Sequence, residues 1–325
     1  MNNISDKFST ISLDRLFQII LKDYNKRKEI FGIPEELFFV PSKNDNFKIT
    51  RYGNTLETPI GIAAGPHSQM AQNIISAWLC GARYIELKTI QTLDEINVSK
   101  PCIDMQDEGY NCEWSQELKI EESYEEYLKA WIIIHVLKHK FGWNKTKDIG
   151  VIFNMSAGYN MEGMLKDNVQ FFFNKMKDCR NEKNKFIELL KPLYPEIIKI
   201  KIPDIISDNI TLSTMHGCPP DEIEKIGHYL ISEKKLHTTI KLNPTLLGAK
   251  DLRYILNEKL KFKTEVPDIA FEHDLKFDDA IKLIKSLQKA ANQNNVQFNI
   301  KLTNTLESVN FKNIFSAEEK MMYMS

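Results

Sequence analysis

The sequence has no two cysteines in C-x-x-C spacing: Cys80, Cys102, Cys112, Cys179 and Cys218 are scattered. Iron–sulfur and zinc sites commonly use that spacing, so neither is expected within this chain, nor is any other metal site. Long apolar runs are also missing. The longest beside a helical pattern is WIII at 131–134, far short of the roughly 20 residues that cross a bilayer. The opening MNNISDKFS lacks the basic-then-apolar order of a signal peptide. Charge of one sign is absent, because 43 Lys+Arg face 44 Asp+Glu for a net of −1. Neither nucleic acid nor an anionic membrane is then an expected partner. No G-x-G-x-x-G follows the first predicted strand, which disfavours a dinucleotide Rossmann domain. No short repeat or low-complexity linker interrupts the chain. A soluble cytoplasmic protein is the expectation.

What is present is ordinary in amount and ordered in pattern. The chain has 325 residues, 42% hydrophobic and 27% charged, enough for a large core. Leu13, Leu16, Phe17, Ile20, Leu21 and Tyr24 form a helical stripe with Ser12 as N-cap. Strand and helix patterns then alternate. Strands are predicted at 58–64, 82–88, 150–155, 210–213, 239–243 and 296–302, with helical spacing between most of them. The strands look apolar on both faces more often than they alternate, which suits a buried parallel sheet. The implied units are βαβ, giving a doubly wound sheet or a (β/α)8 barrel.

In barrels, functional residues gather where strands end. Those ends read Ala64-Gly65-Pro66, Lys88-Thr89, Asn154-Met155-Ser156, Ser213 with the later Cys218, Lys241-Leu242-Asn243, and Thr303-Asn304-Thr305. A lysine at the end of a buried strand needs an anionic partner or ligand. Two of them suggest a bound anion or an electron-rich ring, although an ion pair is the plainer alternative. Asn and Thr offer oriented donors and acceptors for a heteroaromatic edge. Gly65 allows backbone to approach a flat ligand closely. Cys218 lies between a strand and Pro219-Pro220, with DEIEKIGHYL following at helical spacing. The other four cysteines read as small buried hydrophobes.

These stretches resemble the FMN-binding barrel of the dihydroorotate and dihydropyrimidine dehydrogenase superfamily. Within it the chain is most similar to the N-terminal part of the flavin subunit assigned to selenate reductases. The resemblance rests on IFGIPEELF (30–38), TPIGIAAGPHSQMAQNI (58–74), ELKTIQTLD (86–94), KPCIDMQDE (100–108), IFNMSAGYN (152–160), TLSTMHGCPPDEIE (211–224), IKLNPTLLG (240–248) and KLTNT (301–305). It implies a dihydroorotate dehydrogenase-type TIM barrel over 58–325, led by an N-terminal helix and segment over 1–57. It also implies FMN as cofactor. Ala64 and Gly65 would lie against the flavin, Lys88 and Thr89 beside flavin and substrate, and Lys241 near the flavin N1 edge. Asn304 and Thr305 would contact cofactor and substrate. Asn160, Ser213 and Asn243 would face a small substrate, a pyrimidine-like heterocycle by analogy. Cys218 would be the catalytic acid or base, with His216 as its partner. A thiol of ordinary pKa, about 8.5, can do this near neutrality if a positive environment lowers it.

The pattern departs from the family in two places. Thr211 stands at the family's asparagine position, and Thr-Met-His-Gly separates Ser213 from Cys218. The chain also stops at MMYMS, after the sixth predicted strand, where relatives continue with two more βα units. The barrel is therefore expected to be incomplete after six strands, and FAD, iron–sulfur clusters and an electron-transfer module or partner subunit are expected outside this chain. Two other readings fit the strand-end lysines: a barrel lyase using Lys88 or Lys241 as a Schiff base, and a non-catalytic truncated piece. The connection from Ile90 to about Ser115, with Lys100, Asp104, Asp107, Glu108 and Trp114, is long for a βα loop and is expected to overhang the active face.

Overall fold

Six short parallel strands organise the molecule: β1 (Gly61–Ile62), β2 (Tyr84–Glu86), β3 (Ile152–Ala157), β4 (Asn209–Ser213), β5 (His237–Leu242) and β6 (Phe298–Leu302). The computed structural model describes residues 8–94, 96, 98, 101–106, 108–112, 116–143, 149–213 and 218–325. Lys100, Asp107 and Trp114 of the long loop lie outside the described residues. The six strands sit side by side in chain order, every neighbouring pair parallel. Successive strands that are neighbours and parallel need a crossover each. The result is the sheet of a (β/α) barrel carried through six strands.

A leading helix, α1 (Leu13–Arg27), precedes the sheet, and the crossovers carry α2 (Ala71–Leu79), α3 (Ile120–Lys140), α4 (Met161–Met164), α5 (Asp167–Lys177), α6 (Arg180–Leu190), α7 (Pro220–His228), α8 (Ala249–Arg253), α9 (Asp268–His273) and α10 (Phe277–Gln293). α1 buries the predicted stripe Leu13, Leu16, Phe17 and Ile20. α3 is buried on nearly every side, so its WIII stretch is apolar all round: a helix enclosed on every side needs no polar face. The expected α7 begins at Pro220, a position where a missing N–H costs nothing.

The strand faces differ from the sequence expectation. Register places Tyr84, Glu86, Asn154, Ser156, Asn209, Thr211, Ser213, Thr239, Lys241, Asn299 and Lys301 on one face of the sheet. Ile85, Phe153, Met155, Ile210, Leu212, Ile240 and Leu242 take the other, where they are buried in the main core. The strands therefore alternate. Their polar residues are mostly buried Asn, Thr and Ser, which a count of apolar residues on short strands does not separate from core. They satisfy one another: Asn154 Nδ2 donates to Asn209 Oδ1 at 2.7 Å, and Thr211 Oγ1 donates to Asn154 Oδ1 at 2.6 Å. Such groups can be enclosed only if paired.

Close to the N-terminal ends of β2 and β3, Glu57 accepts from Arg83 Nε at 2.6 Å and from Lys138 Nζ at 2.8 Å, all three side chains being buried. The Tyr52 hydroxyl, on the antiparallel hairpin Ile49–Arg51/Asn54–Leu56, meets Thr239 Oγ1 at 3.0 Å. At the opposite end, the chain does not stop after β6. Leu306–Val309 and Met321–Met324 form an antiparallel hairpin, which pairs with Tyr110–Asn111 and through it with Ile103–Asp104. This four-stranded sheet joins the segments that leave the C-terminal ends of β2 and β6. The long loop is thereby partly ordered as strand, and Tyr110 fixes it through a 2.7 Å bond to Thr264.

Candidate active site

Several of the predicted residues lie where the parallel strands end. Register sets Ser213, Lys241 and Lys301 abreast on β4, β5 and β6. Across the concave face, Lys301 Nζ pairs with Glu86 Oε2, linking β6 to β2 over three intervening strands. The Ala64 N–H also donates to Glu86 Oε2, at 3.3 Å. A buried carboxylate thus gathers the ends of β1, β2 and β6.

The Lys241 side chain is half-buried and has no hydrogen bond or ion pair among the described residues. Burial pushes its ammonium below the usual lysine range; the Glu86 charge opposes that shift and Lys301 reinforces it. Two atoms of this face are buried without a partner, Glu86 Oε1 and Asn299 Nδ2. An unpaired buried polar atom costs about 1–3 kcal/mol. One buried donor and one buried acceptor left open beside the Lys241 ammonium are what a polar ring edge would satisfy.

Thr89 is buried and shares a 2.8 Å hydrogen bond with Ser156 Oγ. Lys88 beside it is buried as well. Asn243 is buried and leads into the 3-10 turn Pro244–Leu247. Asn304 and Thr305 are half-buried, and the Asn304 N–H donates to Leu242 O at 2.7 Å, holding the exit of β6 against that of β5. At Gly65 the backbone is extended, and a Cβ there would stand 2.6 Å from His67 Cε1. The close approach that this glycine permits is by the His67 ring, whose Nε2 bonds Ala63 O at 2.9 Å.

Asn160 is exposed and caps α4, its Oδ1 accepting the Gly163 N–H at 2.9 Å. Its loop is tied to the cysteine segment, because Glu222 on α7 accepts the Met161 N–H at 2.6 Å. Cys218 is half-buried against the core at the start of that segment. Its surroundings reverse the expected sign. Burial first, then the nearby Glu222 and Asp221 carboxylates, push the thiol up to about 11. The group is a proton donor at neutral pH rather than a thiolate. His216 lies outside the described residues.

Sequence reasoning passed over Glu86, Asn299 and Lys301. The signal was there: T-I-K at 239–241 and N-I-K at 299–301 share one alternation, as does Y-I-E at 84–86. Placed in register on neighbouring strands, these patterns imply a shared polar face.

Comparison with known proteins agrees with this architecture. Residues 31–325 match the family described as "Oxidoreductase YgfK, N-terminal TIM-barrel domain". Proteins named "Putative oxidoreductase YgfK" from Escherichia coli strain K12 and from Escherichia coli O157:H7 are each 40% identical over 343 aligned positions, covering 99% of this chain and 33% of theirs. The chain thus spans about a third of the length of these curated relatives. Two solved Eimeria tenella structures show a distant likeness. Ligand-free DHODH matches with a TM-score of 0.39 at 14% identity, over 89% of this chain and 81% of that one. DHODH in complex with ferulenol matches with a TM-score of 0.41 at 13% identity, over 91% and 81%. The chain belongs to the family of the YgfK oxidoreductase N-terminal TIM-barrel domain.

Proposed function

We propose that this barrel is the FMN site of a multi-cofactor oxidoreductase that reduces a small heterocycle. The observation that carries the reading is Lys241, a half-buried cation whose side chain has no hydrogen bond or ion pair among the described residues, on the same strand face as the open Glu86 Oε1 and Asn299 Nδ2. A flavin ring edge alternates carbonyl oxygens with an N–H, so two open donors and an open acceptor fit it. Lys241, Asn299 and Glu86 would hold that edge, with Ala64, Gly65, Lys88, Thr89, Asn304 and Thr305 around it. FMN, when bound, would supply the acceptance and donation of hydride.

The protein's own groups have separable tasks. The Lys241 charge favours negative charge on whatever lies against it. Glu86 limits that effect and keeps Lys301 in place. The Cys218 thiol holds its proton at neutral pH, which suits delivery to a carbon next to a carbonyl. That direction supports a pyrimidine-like substrate over selenate. Ser213, Asn160 and Asn243 would face the substrate. We assign FAD, iron–sulfur clusters and the electron-transfer module or partner subunit to the remaining length of the relatives' polypeptides, and place the protein in the cytoplasm, where its scattered cysteines stay reduced.

The test is the flavin content of the intact polypeptide, released by denaturation and identified by mass. One FMN per barrel is expected, and Lys241→Met should lower both flavin retention and midpoint potential. Absence of FMN after reconstitution would overturn the reading. A covalent adduct at Lys241 on borohydride treatment with a carbonyl compound would instead favour the lyase.

A further inference from the structure

A cavity of about 470 Å³ lies at the other end of the strands, where β3 and β4 begin and α3 packs over them. Its size is that of a small-molecule site. None of the strand-end residues lines it, so it is separate from the site above. Its walls combine aromatic surface with a few polar groups. Trp131 stands edge-on to His135 at 4.5 Å and to Phe153 at 5.3 Å, and all three line the cavity.

His135 is 7% exposed. Its Nδ1 lies 2.8 Å from the Trp131 carbonyl oxygen. A carbonyl can only accept, so Nδ1 carries the proton and Nε2 carries a lone pair. Nε2 has no partner among the described residues. Burial and the nearby Lys138 and Lys183 charges hold the ring neutral, with a pKa down to about 4. The cavity therefore presents one acceptor on a mostly buried ring, open to an O–H or N–H. The same cavity is lined by two exposed cations. Lys201 has no ion pair among the described residues, and Lys199 has only a long 3.7 Å contact with exposed Glu196. Asp208, the one acid among the described residues of the lining, already accepts from Asn209 Nδ2 at 3.0 Å.

We infer that this cavity is a second ligand site, built for a small aromatic hydroxy acid: the ring against Trp131 and Phe153, the hydroxyl donating to His135 Nε2, and the carboxylate at Lys199 and Lys201.

Isothermal titration of the full chain with 4-hydroxybenzoate, benzoate and phenol tests this. 4-Hydroxybenzoate should bind saturably, and benzoate about 3–10-fold more weakly, the usual worth of one neutral hydrogen bond. His135→Phe should erase that difference. Lys199→Glu/Lys201→Glu should weaken both acids by about tenfold and leave phenol unchanged. Lys241→Ala should leave all three unchanged, since the strand-end lysine is not involved. No saturable binding up to about 10 mM would overturn the inference. Equal binding of 4-hydroxybenzoate and benzoate would do the same, as would indifference to the lysine reversals. If His135→Phe does not fold, the wild-type comparison of the two acids and the surface lysine pair decide the matter.

Discussion

Cys218 should react as a hindered, protonated thiol, and its pH profile can be worked out in advance. Burial together with Glu222 and Asp221 pushes it up from the ordinary thiol range to about 11. At pH 8 a thiol of pKa 9 is about 10% thiolate and one of pKa 11 about 0.1%, a roughly 100-fold difference. The more basic thiolate is intrinsically faster by about tenfold over two pKa units. Alkylation at pH 8 should therefore run about tenfold slower than at a free thiol, before any hindrance from partial burial. The rate should keep climbing above pH 9, where a free thiol levels off. Iodoacetamide labelling across pH 6.5–10.5, read by peptide mass spectrometry, separates Cys218 from exposed Cys80. Asp221→Asn/Glu222→Gln should shift the curve to lower pH, since it removes both like charges. The sign for stability follows. The folded pKa exceeds the unfolded one, so this thiol's contribution is complete below about pH 9 and lost as pH rises toward 11. A labelling curve that levels off at or below pH 8 would refute the reasoning and restore a thiolate.

Other consequences are structural. Glu57→Gln removes the carboxylate that pairs with buried Arg83 and Lys138; urea unfolding should show a loss of about 3–5 kcal/mol. Lys301→Met leaves buried Glu86 without its cation, so it should destabilise by about 1–3 kcal/mol, and Glu86→Leu added to it should recover part of that loss in thermal melts. Gly61→Ala would put a Cβ 2.2 Å from the Tyr84 carbonyl oxygen, so β1 must separate from β2; hydrogen exchange at the β1–β2 pair should accelerate, while a wild-type rate would show that the strands can adjust.

Much of this protein is determined locally. The helical stripe at Leu13–Ile20, the apolar stretch that becomes α3, the Pro220 helix start and the six strand segments each lie in short windows of sequence, because helix and strand periods act over a few residues. So does the family resemblance, which rests on contiguous motifs such as TLSTMHGCPP. Tertiary structure decided what depends on register and enclosure. Which face of each strand is polar emerged only when Thr239, Asn299 and Thr211 were set abreast, since a one-residue shift would turn every side chain over. Glu86 and Lys301 are 215 residues apart, and nothing in either segment announces the other. The hairpin after β6 needed the distant Tyr110–Asn111 strand as its partner. The acidity of Cys218 was set by burial and by the Asp221 and Glu222 carboxylates. Charge and desolvation depend on distance in space, so the chain order could name the cysteine but not its protonation.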